Sequence, residues 1–193
     1  MNKNRLEAFS DGVFAIIITI MVLEIKIPHG ETFAALTPLL PVFLSYILSF
    51  IYVGIYWNNH HHLLQSSKNV SGNILWANLH LLFWLSLLPF ATGWTGENHF
   101  APATMALYGF ILMMAGLAWW ILQNKLIATN GKDSVLAKAV GGHRLKEIIS
   151  PIGYAIGIAC SFWHTWISGC LYIFVATVWL VPDRRIEKTI NNP

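Results

Sequence analysis

The feature that most constrains this chain is the stretch Arg5 to Ile27, RLEAFSDGVFAIIITIMVLEIKI, near the amino terminus. Its uninterrupted apolar run, Gly12 to Leu23, has 12 residues, whereas a helix facing lipid along its whole length needs roughly 20. A full span must therefore carry Arg5, Glu7 and Asp11 into the membrane, with Glu24 at its far end. Ionisable groups at that depth normally face a bundle interior, a water-filled cavity or one another. The first helix is therefore expected to be internal, with neighbours wrapped around it.

Composition supports a bilayer setting. Of 193 residues, 55% are hydrophobic and 11% charged, against about 25% charged in soluble domains. The chain reads as an all-α integral membrane protein, a single domain over residues 1–193. The net charge of +3 does not point to nucleic acid, because the basic residues avoid every long apolar segment and collect in loops and tails. Cys160 and Cys170 lie in apolar surroundings without CxxC or metal-type spacing, which reads as packed thiols. Lys3 and Arg5 before a short apolar core resemble a secretory signal, but Glu7 and Asp11 and the lack of a small-x-small cleavage site argue that the segment is retained.

Hydropathy and turn residues divide the chain into six expected spans, at about 5–27, 39–64, 74–94, 103–123, 147–163 and 166–182. Pro28, Gly30 and Pro38 mark the first connection, Pro89 interrupts the third span, and TGWTGENHF forms its tip. A basic, glycine-containing loop is expected over 124–147. Gly153 and Gly157, four apart, suit close helix packing. With six spans, eleven of the twelve Lys and Arg residues fall on the side of both termini and only Lys26 on the other. The positive-inside rule then places both termini in the cytoplasm.

On the first helix Arg5, Phe9, Gly12, Ile16, Thr19 and Leu23 recur at spacings of three and four and share one stripe. If that stripe faced water or a symmetry axis, Ile16 and Leu23 would form a hydrophobic constriction with the Thr19 hydroxyl between them; simple packing explains the same periodicity. Asp11 points away from the stripe. Its uses are a proton or ion relay, or an anchor to Trp57, His60 or Asn78, which lie near the same membrane side. The triplet His60, His61, His62 invites a metal reading, but consecutive helical residues diverge by about 100° and no HxxxH or HxxHH box accompanies them. No metal, cofactor or enzymatic chemistry is expected. TGWTG lacks the TVGYG pattern of a selectivity-filter loop, and no span carries arginine at every third position.

At RLEAFSD the sequence resembles the transmembrane-protein-175 family, the potassium channels of endosomes, lysosomes and many bacteria. Arg5, Phe9, Ser10 and Asp11 meet its R-x-x-x-F-S-D hallmark; Trp57, His60 and Leu63 meet W-x-x-H-x-x-L; the Asn78-Leu79 pair and the Leu88, Pro89, Phe90 step agree as well. These motifs cover the first half of the chain. The resemblance implies a six-helix subunit, four to a homotetramer, whose first helix lines the pore without a filter loop. It implies a constriction at Ile16 with Leu23 beyond it, a hydroxyl layer at Thr19 associated with potassium preference, and a structural polar network of Arg5, Ser10, Asp11, Trp57, His60 and Asn78. One hallmark and no internal repeat match the bacterial form, so the expected setting is the bacterial plasma membrane, with potassium ions as the permeant species. The rival from another class is a proton-coupled or other secondary transporter using Asp11 and the histidines. His61, His62 and His80 acquire no role from the resemblance.

Overall fold

The computed structural model describes residues 3–67, 69–131, 134, 137 and 144–180. Its elements are α1 (Lys3–Leu23), a short 3-10 helix (Phe33–Leu39), α2 (Leu40–Gln65), α3 (Gly72–Ser86), α4 (Leu88–Glu97), α5 (Pro102–Asn130), α6 (Arg144–Cys160) and α7 (Thr165–Leu180). Proline sits in the first turn of α2, α4 and α5, where its missing N–H removes no intrahelical bond. Between α3 and α4 the break falls at Leu87, two residues before Pro89. Pro89 cannot donate to the Leu85 carbonyl, and Leu87 N–H reaches back only to Trp84 O at 3.3 Å.

Among the described residues four stretches are long and apolar enough to cross a membrane: Lys3–Leu23, Phe33–Gln65, Gly72–Glu97 and Pro102–Asn130. Helices α6 and α7 have 17 and 16 residues, about 25 Å at 1.5 Å per residue, so as described they fall short of a hydrocarbon core of about 30 Å. Three boundaries differ from the sequence expectation. Helix α1 stops at Leu23, leaving Glu24 to Ile27 outside it. TGWTGE is helical through Glu97 and not a tip. Helix α5 runs to Asn130, because Asn124, Thr129 and Asn130 bond back to the carbonyls of Trp120, Lys125 and Leu126 and so satisfy their side chains on their own helix. Residues 132–133, 135–136 and 138–143 of the expected basic loop, and 181–182 of the last expected span, lie outside the described residues.

Helix α5 is the spine of the bundle, packed against α3, α4, α6 and α7; α2 packs against α1, α4 and α7, and α1 lies across α2, α3 and α4. The ends of these helices define two levels. At one, Lys3 Nζ donates to the Gln65 carbonyl at 3.2 Å, Asn130 Nδ2 to Ser67 Oγ at 2.9 Å, and Gln123 Nε2 to Glu147 Oε1. At the other, Lys26 Nζ lies 2.6 Å from Glu97 Oε1. The hydrogen bond and charge of Glu97 raise the Lys26 pKa above its ordinary 10.5. A raised folded pKa means that the pair's contribution is complete below 10.5 and fades only as pH climbs through the folded value. It is therefore constant across neutral pH.

Tyr172 of α7 is the tightest fitting in the core. A Cβ at Gly109 of α5 or Gly157 of α6 would collide with its ring, and one at Gly153 would come within 2.9 Å of Val175. The glycine pair on α6 thus receives two side chains of α7. The slot is fixed by hydrogen bonds at both ends of the tyrosine: its hydroxyl donates to Met105 O at 3.1 Å, and its own carbonyl accepts from Tyr52 Oη at 2.6 Å. Gly157→Ala is expected to destabilise the protein by about 1–3 kcal/mol, as overpacking does. Gly54→Ala, where an added Cβ meets nothing within 4 Å, should leave thermal unfolding of the purified protein unchanged or raised.

Candidate functional site

Helix α1 has two unlike faces. Leu6, Ser10, Phe14, Ile17 and Met21 are buried against the other helices. On the opposite side Phe9, Gly12, Ile16, Thr19 and Leu23 are exposed, Ile16 at 57% and Leu23 at 80%. The stripe expected from periodicity is therefore left uncovered by the other described residues. Thr19 Oγ1 donates to the Ile16 carbonyl at 2.9 Å. That bond uses the hydroxyl proton and leaves the oxygen lone pairs as the group's remaining capacity, which suits a cation or a water hydrogen.

The buried face carries a hydrogen-bonded relay. His60 Nε2 lies 2.7 Å from Asn78 Oδ1, Asn78 Nδ2 donates to Ser10 Oγ at 3.0 Å, and Ser10 Oγ donates to the Leu6 carbonyl at 2.8 Å. Because the Asn78 oxygen can only accept, His60 must carry its proton on Nε2. Ser10 and Asn78 have no exposed surface and His60 is 1% exposed. The three sit about 8–10 Å in from the same bundle end by helical rise, so α1, α2 and α3 are tied at one depth. Phe14, one turn beyond Ser10, closes over the imidazole edge-to-face at 5.6 Å.

A second tie lies on the outer side. Trp57 Nε1 donates to Asp11 Oδ1 at 3.0 Å, with Trp57 47% exposed. Arg5 is exposed and joins neither tie. Of the six polar residues named from the sequence, the structure thus brings Ser10, Asn78 and His60 into one chain and Asp11 and Trp57 into another. His61 is exposed and His62 half-buried, with His62 Nδ1 buried and unbonded among the described residues. His80 Nε2 accepts from Trp84 Nε1 at 3.0 Å. Sequence reasoning missed the Leu6 carbonyl, which no side-chain pattern announces, and Phe14, whose position four residues after Ser10 was a usable signal.

Among known proteins, a family profile matches the half of the chain that holds these ties, and the similar proteins extend over most of its length. A family profile described as the endosomal/lysosomal potassium channel TMEM175 matches residues 5–89. A potassium channel of Chryseobacterium sp. (strain P1-3) is 58% identical over 191 residues, covering 99% of each chain. A potassium channel of Streptomyces collinus is 31% identical over 173 residues, 84% of each. The crystal structure of a lysosomal potassium-selective channel TMEM175 homolog from Chamaesiphon minutus superposes with a TM-score of 0.79 at 27% identity, over 92% of this chain and 96% of that one.

The two ties differ in burial and should differ in worth. Asn78→Leu strands the His60 N–H and removes a donor from Ser10, and is expected to cost about 1–3 kcal/mol. Trp57→Phe loses one bond at the surface of the subunit and should cost less than about 1 kcal/mol. Unfolding of the two purified variants measures the difference, and equal losses would contradict the ranking.

Proposed function

This chain belongs to the TMEM175 family, a family of channels and not of enzymes, and from that premise we propose a potassium-preferring cation channel whose pore is lined by α1. The observation that carries the reading is the uncovered stripe from Phe9 to Leu23. One subunit offers one such stripe, so the proposal requires several copies around an axis, and a homotetramer supplies four. Ile16 then forms the narrow apolar ring, which blocks ions by excluding water, with Leu23 two turns beyond it. Thr19, its proton held by the Ile16 carbonyl, turns oxygen toward the axis and replaces part of the hydration shell of potassium. No selectivity-filter loop takes part.

The remaining assignments follow from the same arrangement. Each subunit is one six-span unit over residues 1–193, with α3 and α4 together forming the third span and α6 and α7 contributing the last two. The bundle end that holds Lys3, Lys125 and Lys146 faces the cytoplasm with both termini, and the Lys26 end faces outward. The setting is a multi-pass position in the bacterial plasma membrane. Ser10, Asp11, Trp57, His60 and Asn78 act as a structural network that fixes α1 to its neighbours, and Arg5 completes it in the assembled protein. The transporter reading has less support, because Asp11 and His60 are both engaged in hydrogen bonds that suit anchoring better than proton exchange.

Protein reconstituted into liposomes is expected to pass potassium, and Ile16→Asn to raise that flux by letting water into the narrow ring. Membranes that stay sealed in both cases would overturn the reading. Thr19→Ala should move the reversal potential under opposed potassium and sodium gradients toward zero selectivity; an unchanged value would remove Thr19 from the pore.

A further inference from the structure

A cavity of about 480 Å³ lies away from α1, between α2, α5, α6 and α7. Its volume is in the range of small-molecule sites, about 300–1,000 Å³. Most of its wall is aromatic or thioether, from Tyr56, Met113, Met114, Trp120, Tyr154 and Trp179. Leu117 and Trp120, at 46% and 50% exposed, form a rim that opens on the apolar outer surface of α5. None of these residues takes part in the proposed pore.

The charged group in this wall is the Glu147 carboxylate, and with the Asn59 oxygen it accepts; the Tyr56 and Tyr154 hydroxyls and the Trp120 indole N–H beside them can donate. Glu147 has one carboxylate oxygen bonded to the Gln123 amide, and no cation lies within ion-pair distance of it among the described residues. Lys146, next to it in sequence, is placed over the Trp179 ring, 5.9 Å from its centroid. Asn59 has one amide N–H tied to the Ile55 carbonyl at 2.8 Å, which leaves its oxygen to accept and its second N–H to donate. The Ser150 hydroxyl already donates to Lys146 O at 2.8 Å and accepts from Trp179 at 2.7 Å. The buried indole N–H of Trp119 has no bonding partner among the described residues, but it has essentially no exposed surface and cannot meet a ligand in the cavity. A carboxylate and an amide oxygen within aromatic walls match a cation that brings N–H donors, through charge, hydrogen bonding and ring-face attraction together. They do not match an anion.

We propose that this cavity binds an ammonium-headed amphiphile drawn from the surrounding membrane, its head at Glu147 and Asn59 and its hydrocarbon chain among Met113, Tyr154 and the other apolar walls. The site is independent of conduction, so its test is read on binding alone.

The full-length protein, reconstituted in phosphatidylcholine liposomes, is exposed to an alkylamine carrying a photoactivatable diazirine in its chain, and the labelled residues are mapped. The label is expected on the cavity walls of α5 and α6, competed by dodecylammonium and not by dodecanoate. Glu147→Gln keeps an oxygen for Gln123 and should weaken labelling by at least about tenfold, as loss of a charge-assisted hydrogen bond does. Gly116→Leu provides a second variant with the carboxylate intact: an added Cβ there meets Tyr154 and Tyr56 only at 3.9 Å, so the side chain grows into the cavity and should displace the probe. Should Glu147→Gln fail to fold, the amine-over-carboxylate competition and Gly116→Leu decide the matter. Equal competition by dodecanoate, labelling unchanged by Gly116→Leu, or label confined to the outer apolar surface would each overturn the proposal.

Discussion

The rest of the structure depends on the hydrogen-bonded chain from His60 through Asn78 and Ser10 to the Leu6 carbonyl. Lipid offers no hydrophobic drive to bring helices together, so polar contacts and close packing must set their register. Helix α1 has little else that is specific. Its buried face is a single apolar stripe that could slide along α2 and α4 with small change in contact, whereas a buried N–H that loses its acceptor is penalised at once. The relay therefore fixes both the depth and the rotation of α1, and the rotation decides which residues are left uncovered. The direction of each donor is also determined, which places a proton on His60 Nε2.

The bundle has a second organising element of a different kind on its far side. Tyr172 is accepted because two glycines, Gly109 and Gly157, leave room for its ring on helices that are otherwise in close contact. Tyr52, Tyr108 and Tyr154 gather around it, with ring centroids 6.0–6.4 Å apart. The α5–α7 half is thus held by shape and the α1–α3 half by hydrogen bonds, and α2 shares in both through Tyr52 and His60. The aromatic cavity lies on the shape-packed side, so its walls are positioned by contacts unrelated to α1.

Much of the α1 half was legible in the sequence because the anomaly was local. Charged and polar residues bordering a short apolar run must be explained where they stand, and their spacing of three and four separated the exposed stripe from Ser10 and Asp11. Helix ends were less legible. Asn124, Thr129 and Asn130 read as loop by residue type, yet each bonds a carbonyl of its own helix and lets α5 continue. TGWTGE read as a tip, yet a Cβ at Gly96 would approach the Val42 backbone to 2.6 Å, so that glycine serves packing against α2 and not a turn. The spacing of Gly153 and Gly157 announced close packing without its occupant, since the tyrosine that fills it and the third glycine opposite come from other helices. The cavity was invisible for the same reason, because its polar acceptors come from α2 and α6 and no stretch of sequence holds them together.

Helix α1 is fastened near Ser10 by buried hydrogen bonds and, towards its other end, by weaker contacts: Met21 buried with its sulfur 3.9 Å from Thr92 Oγ1, and the exposed Lys26 and Glu97 pair beyond Leu23. Mechanically it is a beam clamped at one end. A given tilt about the clamp moves Leu23, about 20 Å away by helical rise, roughly twice as far as Ile16 at about 9 Å. The same small rotation therefore produces a wide excursion at Leu23 and a fine adjustment at Ile16, which in the proposed pore is the constriction.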